Sequence, residues 1–334
     1  MFKPKNIYYE EGIEQYPLGK YLLEKYPLIP KYIIKNHNNI PELRKSINKD
    51  FPRLKQNLII GTRKTHKFVP NKKVSDYLVP YTSSGCTAMC LYCYLVCHYN
   101  KCAYLRLFVN REEMLNKIIK VANLPENTKD LVFEIGSNSD LVLENTITGN
   151  LEWTITEFAK SLRGKLTFPT KFHMVDSILN LPGKEKIIPR VSVNPDKIIK
   201  QVEFKTSSLD QRITAINKLC DAGFKTGILI APVILIDNWK ILYENLFKKL
   251  SKELNQKAKD TIFFEVIFMT YSYVHNEINK EAFPHALKIY NPAIFTSRGK
   301  YKYTYKDSIK SQATLFLQKK LKQYFPNAKI LYIA

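Results

Sequence analysis

The sequence predicts an α/β fold: a partial (β/α)6 TIM-type barrel with an N-terminal appendage and a basic β-hairpin near the C-terminus. Three observations carry this expectation. From about Asp76 onward, short β-branched runs alternate with segments of helical periodicity, the pattern of parallel strands joined by crossover helices. Six such units follow one another, and a chain of 334 residues with 45% apolar side chains has the material to bury them around one core. The GxGxxG fingerprint that would open a doubly wound dinucleotide-binding sheet is absent.

Residues 1–75 are rich in Pro, Lys and Tyr and weakly periodic, and read as an appendage packed on the barrel. The barrel spans 76–270. Its strands are expected at 77–81, 131–135, 166–172, 187–193, 226–233 and 261–268, and its helices at 112–121, 151–162, 175–181, 209–222 and 239–254. Ser207 or Ser208 is positioned to cap the helix near Leu209, and Gly223 to stop it. Residues 271–334 form a third, C-terminal region. There the run 297–306 alternates Lys300, Lys302, Thr304 and Lys306 with Tyr301, Tyr303 and Tyr305, so a strand would present cations on one side and rings on the other. Such a ribbon could hold a phosphate backbone, or be an ordinary half-buried hairpin with solvated lysines.

The formal charge of +22 points to an anionic partner, with nucleic acid first among the candidates. The longest apolar run, 228–236, is about half of what a membrane-spanning helix needs. The N-terminus lacks the apolar core of a secretory signal, so a cytoplasmic protein is expected. No Walker-type phosphate loop is present, which argues against ATP-driven chemistry. Asp140, Asp176 and Asp237 read as caps or solvated turns, and His66 and His173 as satisfied structural histidines.

Five of the six cysteines crowd between Cys86 and Cys102, directly after the first barrel strand. Cys86, Cys90 and Cys93 have the spacing CxxxCxxC. Three thiolates from one short loop can hold three irons of a cubane, leaving the fourth iron open to a chelating cofactor. Zinc is the alternative, with Cys97, His98 or Cys102 completing its four ligands; the same residues could close a four-cysteine cluster. Position favours the open cluster, because chemistry in such barrels sits in the loops at the C-terminal strand ends.

The cysteine loop resembles that of the radical S-adenosylmethionine superfamily, whose partial barrels carry a [4Fe-4S] cluster that binds and cleaves S-adenosyl-L-methionine. Further segments narrow the resemblance: 16–19 (YPLG), 63–68 (RKTHKF), 90–95 (CLYCYL), 106–110, 170–173 (TKFH) and 325–330 (FPNAKI) are together similar to the spore photoproduct lyase family. That resemblance implies a DNA-repair lyase reversing 5-thyminyl-5,6-dihydrothymine to two thymines through a 5′-deoxyadenosyl radical. It implies Cys86, Cys90 and Cys93 as cluster ligands, Tyr92 and Tyr94 beside the cofactor in hydrogen-atom return, and Ser139, Lys171, Ser192 and Ala231 along the cofactor pocket. A lysine there can neutralise a carboxylate, and serine hydroxyls can bind amino or ribose groups. It further implies that Arg298 and the hairpin residues Lys300, Tyr301, Lys302 and Tyr303 hold an extruded lesion. A reductant such as flavodoxin or ferredoxin and a monomeric state complete the expectation, with the spore core as location in a spore former.

One position departs from the family pattern. Where the family has a cysteine that donates hydrogen to the substrate radical, this chain has Ser137, whose O–H bond is considerably stronger than S–H. Cys97, Cys102, Tyr92 or Tyr94 could substitute; alternatively, the chain acts on another nucleic-acid lesion or on a peptide. Gly299 likewise follows Arg298 where the family continues with an aromatic residue. A reading of another class remains, a noncatalytic metal-containing DNA-binding protein.

Overall fold

The computed structural model of the chain describes residues 2–98 and 104–334. Its largest sheet has eight strands, ordered Lys329–Ile333, Phe263–Phe268, Gly227–Val233, Ile187–Val193, Lys165–Thr170, Val132–Glu134, Tyr77–Leu78 and Val69–Pro70. Neighbours pair in parallel except at Val69–Pro70, which is antiparallel. All six expected barrel strands are thus present, adjacent and in chain order, and the curled sheet is a partial barrel. Ile187–Val193 buries every residue, as a parallel strand covered on both faces must.

Helices cover the sheet for reasons visible in their sequences. Trp239–Glu253 buries Tyr243, Leu246, Phe247 and Leu250 at helical spacing. Each such side chain contributes about 1.5–3 kcal/mol on burial. Leu209–Asp221 begins at Ser208, whose hydroxyl accepts from the Gln211 amide (3.3 Å) while the Gln211 side chain accepts from the Ser208 amide (3.0 Å). The helix expected at 175–181 is only a 3-10 turn, Asp176–Ile178. Pro182 disfavours helical backbone in the residue before it and truncates the segment.

A second sheet is ordered Lys31–Ile34, Asn6–Glu10, Asn57–Gly61, Leu105–Phe108 and Ser83–Ser84, parallel except for the last pair. The cysteine loop therefore leaves this sheet at Ser84 and its sequel re-enters at Leu105, so the loop is anchored on both sides. A third sheet places Lys302–Tyr305 between Tyr271–Ser272 and Phe295–Ser297, all antiparallel. The strand expected from Lys300 onward begins only at Lys302. The Arg298 amide donates to the Lys302 carbonyl (2.8 Å) and the Lys302 amide to the Gly299 carbonyl (3.1 Å), which puts Lys300 and Tyr301 in the turn. Alternation holds beyond it, with Lys302 exposed and Tyr305 fully buried. Among the described residues no helix is long and apolar enough to cross a membrane.

Candidate active site

The cysteine loop is stitched to three other parts of the chain. Gly85 has φ +77°, a left-handed backbone that a side chain would strain, and its amide donates to the Asn138 carbonyl (2.8 Å). Met89–Cys90 pairs antiparallel with Glu203–Phe204. The ammonium of Lys55, 2% exposed, donates to the Cys86 carbonyl (2.8 Å). Burial, with Asp140 nearby, pushes the Cys86 thiol up to about 12, and burial pushes Cys90 higher still. Thiols in that state bind a cationic centre only as it displaces their protons. Among the described residues no three His, Cys, Asp or Glu side chains converge on one metal ion. A cubane makes no such demand, since each thiolate takes a separate iron.

All three cysteines line one cavity of about 330 Å3 at the C-terminal ends of the barrel strands. Tyr92, Tyr94, Ser137, Ser139, Lys171, Ser192 and Ala231 line it too, so the residues that the resemblance assigns to the cluster, the cofactor and the hydrogen-donor position meet there. Ser139 Oγ is buried in the wall with no hydrogen-bond partner among the described residues. An orphaned hydroxyl beside three thiols and an ammonium fits a ligand with its own polar groups, as S-adenosylmethionine has. Lys171 Nζ donates to Ser192 Oγ (2.5 Å) and the Ala231 carbonyl (2.7 Å), and lies 3.4 Å from Glu203. Gly136 stands where a Cβ would approach Phe168 Cβ to 2.9 Å, so only glycine lets the Ser137 loop lie this close to the neighbouring strand.

Glu203 was not singled out from the sequence. Its fully buried carboxylate accepts from Tyr92 Oη, from Asn194 Nδ2 (2.9 Å) and from Arg212 Nη2 (2.7 Å). Burial alone would raise its pKa; Lys171, Arg212 and these hydrogen bonds outweigh it and hold the carboxyl down at about 2. Asp140 is the cap expected, accepting from the Leu143 amide (3.2 Å), but it also accepts from the Lys171 amide (2.8 Å) and Thr170 Oγ1 (2.8 Å). It therefore fixes the backbone that carries Lys171.

The remaining expected residues divide by position. Tyr94 is half exposed and its hydroxyl donates to the Ser137 carbonyl. Cys97 is not in the cavity wall; its thiol lies 3.1 Å from Ser272 Oγ and 3.6 Å from His275 Nε2. Cys102 lies outside the described residues. Arg298, Lys300, Tyr301 and Lys302 are exposed on the hairpin, with Tyr303 partly buried against Tyr290 (5.0 Å between rings). Tyr303 pairs with Tyr271, which follows the cavity-lining Met269 and Thr270. The hairpin thus adjoins the cavity.

The chain matches the family model for spore photoproduct lyase over residues 2–334. It is 33% identical to spore photoproduct lyase of Bacillus subtilis (strain 168), across 99% of this chain and 98% of that one. A solved spore photoproduct lyase double mutant with bound AdoMet and dinucleoside spore photoproduct superposes with TM-score 0.92 at 28% identity, covering 100% of this chain and 99% of that one. Another, complexed with the dinucleoside lesion, gives TM-score 0.91 at the same identity and coverage. With the match running nearly end to end and the CxxxCxxC loop set at the mouth of the partial barrel, the chain belongs to the spore photoproduct lyase family.

Proposed function

We propose that this protein is a radical S-adenosylmethionine lyase that reverses the thymine photolesion 5-thyminyl-5,6-dihydrothymine in DNA to two thymines. The observation that carries the reading is the one cavity gathering three thiols, the Lys171 ammonium and the Ser139 hydroxyl, which has no partner among the described residues. When bound, the [4Fe-4S] cluster and S-adenosylmethionine supply one-electron reduction and hydrogen-atom abstraction. Cys86, Cys90 and Cys93 would hold the cluster, and Lys171, aimed by Glu203 and by the Asp140 grip on its backbone, would take the cofactor carboxylate. Ser139 and Ser192 offer hydroxyls to its amino or ribose groups, and the Ala231 backbone closes that wall. Tyr92 is anchored by Glu203, while Tyr94 holds its phenolic hydrogen against the Ser137 loop. Tyr94 is accordingly the hydrogen donor that replaces the family's cysteine at Ser137.

The protein works as a monomer in the cytoplasm, with 1–75 as appendage, 76–270 as barrel and 271–334 as the lesion-binding region, although Val69–Pro70 and Lys329–Ile333 add edge strands to the barrel sheet and Ser83–Ser84 and Leu105–Phe108 join the sheet of the appendage. Arg298, Lys300, Tyr301, Lys302 and Tyr303 form its DNA contact. The test is anaerobic turnover of the reconstituted chain with the defined lesion dinucleotide. Repaired thymidylyl-thymidine is expected; S-adenosylmethionine cleavage without it overturns the substrate assignment. Ser137, with Gly299 after Arg298, favours a second reading, a related radical enzyme for another nucleic-acid lesion or a peptide, which product mass spectrometry on lesion-bearing DNA and candidate peptides separates from the first.

A further inference from the structure

A second cavity, about 800 Å3, lies against the other side of the cysteine loop. Thr87 of that loop and Lys55, which holds the Cys86 carbonyl, are in its wall. Phe172 and Thr206 line both cavities, so these two residues form part of the partition between them. Its rim carries Lys3, Lys5 and Lys205, all exposed, and no carboxylate appears among the described residues lining it.

Two of these lysines adjoin regular structure. The Lys5 amide donates to the Gln56 carbonyl (2.8 Å), next to Lys55, and Lys5 leads directly into the Asn6–Glu10 strand. Lys205 follows Glu203–Phe204, the strand paired with Met89–Cys90, and has φ +62°, an unfavourable conformation for a residue with a Cβ. Lys205 thus stands exposed at the cavity wall, directly after the strand that pairs with the one carrying Cys90.

We propose that this basic cavity is the docking site for a small acidic electron-carrier protein of the flavodoxin or ferredoxin class. The inference rests on the cluster reading above and adds where its electron enters. One electron leaves the carrier's flavin or iron–sulfur centre and reduces the cluster by one; no atom is transferred. The substrate cavity is unsuited to this, because cofactor and lesion fill it during turnover. The second cavity reaches the same loop from outside, and positive charge there attracts and orients an acidic surface. DNA is the other polyanion, but its hairpin adjoins the first cavity through Met269 and Thr270, neither of which lines this one.

The experiment uses the reconstituted full-length chain and measures cluster reduction by stopped-flow absorbance with two donors, reduced flavodoxin and photoreduced deazariboflavin. The variant K3E/K5E/K205E is expected to slow reduction by flavodoxin at least ten-fold, to weaken flavodoxin binding in parallel, and to leave deazariboflavin reduction unchanged. Neutral K3Q/K5Q/K205Q gives a smaller loss in the same direction, and added salt slows the wild type more than either variant. Carbodiimide cross-links from flavodoxin carboxylates should map to Lys3, Lys5 or Lys205. An unchanged flavodoxin rate in the charge-reversed variant overturns the proposal. So does an equal fall with both donors, or a loss of DNA affinity with flavodoxin reduction intact. Lesion repair is not read here, so a loaded chain that repairs nothing leaves the docking result standing, whereas a chain that binds no iron overturns both.

Discussion

At Ser137 a single oxygen in place of sulfur changes which bond must break at the end of the reaction. A stabilised carbon radical that could take hydrogen from a thiol gains little from an alcohol, while a phenol gives its hydrogen more readily. Tyr94, whose hydroxyl reaches the Ser137 carbonyl, is the phenol proposed for that step. Tyr94→Phe should therefore lower the repaired dinucleotide formed per S-adenosylmethionine cleaved, and in heavy water should lower the deuterium carried into product. Ser137→Cys should raise that ratio, and Cys97→Ala should leave it unchanged because that thiol faces Ser272 and His275. Full repair by Tyr94→Phe, followed by liquid chromatography, removes Tyr94 as donor. The residues of this site were unequally legible in the sequence. The cysteines announce themselves by spacing, and Lys171 by the segment around it. Glu203 is silent: its partners Tyr92 and Lys171 come from distant strand ends, and a lone carboxylate between Val202 and Phe204 carries no pattern.

At the level of elements, charge is used to lock strands together. Arg190 on Ile187–Val193 reaches Glu134 on Val132–Glu134 (2.6 Å) and Glu265 on Phe263–Phe268 (3.1 Å), all three buried. Removing the cation leaves two buried carboxylates without it, so Arg190→Leu should cost about 3–5 kcal/mol in urea unfolding. A cost below 1 kcal/mol would show the network to be dispensable. In the second sheet, Glu10 accepts from His37 Nδ1 (2.8 Å), the His37 amide (3.0 Å) and the Thr62 amide (3.0 Å). Burial opposes its charge, but the His37 and Thr62 bonds prevail and hold its pKa at about 2, below the ordinary 4.5. The unfolded chain then binds more protons at this group than the folded one, so its contribution is full above pH 4.5 and is lost as pH falls toward 2. Glu10→Gln should flatten that part of the unfolding midpoint against pH; an unaltered curve would assign the acid loss elsewhere. The barrel strands were readable because burial on both faces gives continuous apolar runs. The second sheet was not: Lys31–Ile34 is a partly exposed edge, and Leu105–Phe108 joins Asn57–Gly61 across a long stretch of chain that leaves no local signal.

For the whole molecule, a charge of +22 sets a field that attracts polyanions such as DNA, and the role proposed for the hairpin is to convert that attraction into a pose at the cavity mouth. Lys300 and Lys302 are exposed beside Arg298 on a turn closed by backbone hydrogen bonds, so their charges sit on a fixed frame. Each phosphate contact releases counterions and adds roughly 0.9 to the slope of log affinity against log salt. Replacing both lysines with Gln should reduce that slope by about 2 and weaken lesion-bearing and intact duplex alike. Tyr301 should behave differently. The residue is 67% exposed at the turn, its ring near that of Tyr273 (6.2 Å between rings), and an exposed ring can stack on an extruded base. Tyr301→Ala should therefore leave the slope intact and weaken only lesion-bearing DNA, by about 1–3 kcal/mol. Fluorescence anisotropy across salt concentrations separates the two effects, because a phosphate contact moves the slope and a stacking contact moves the damaged-to-intact ratio. An unaltered slope in the Lys300/Lys302 variant would take the hairpin off the phosphate backbone and leave the field without a reader.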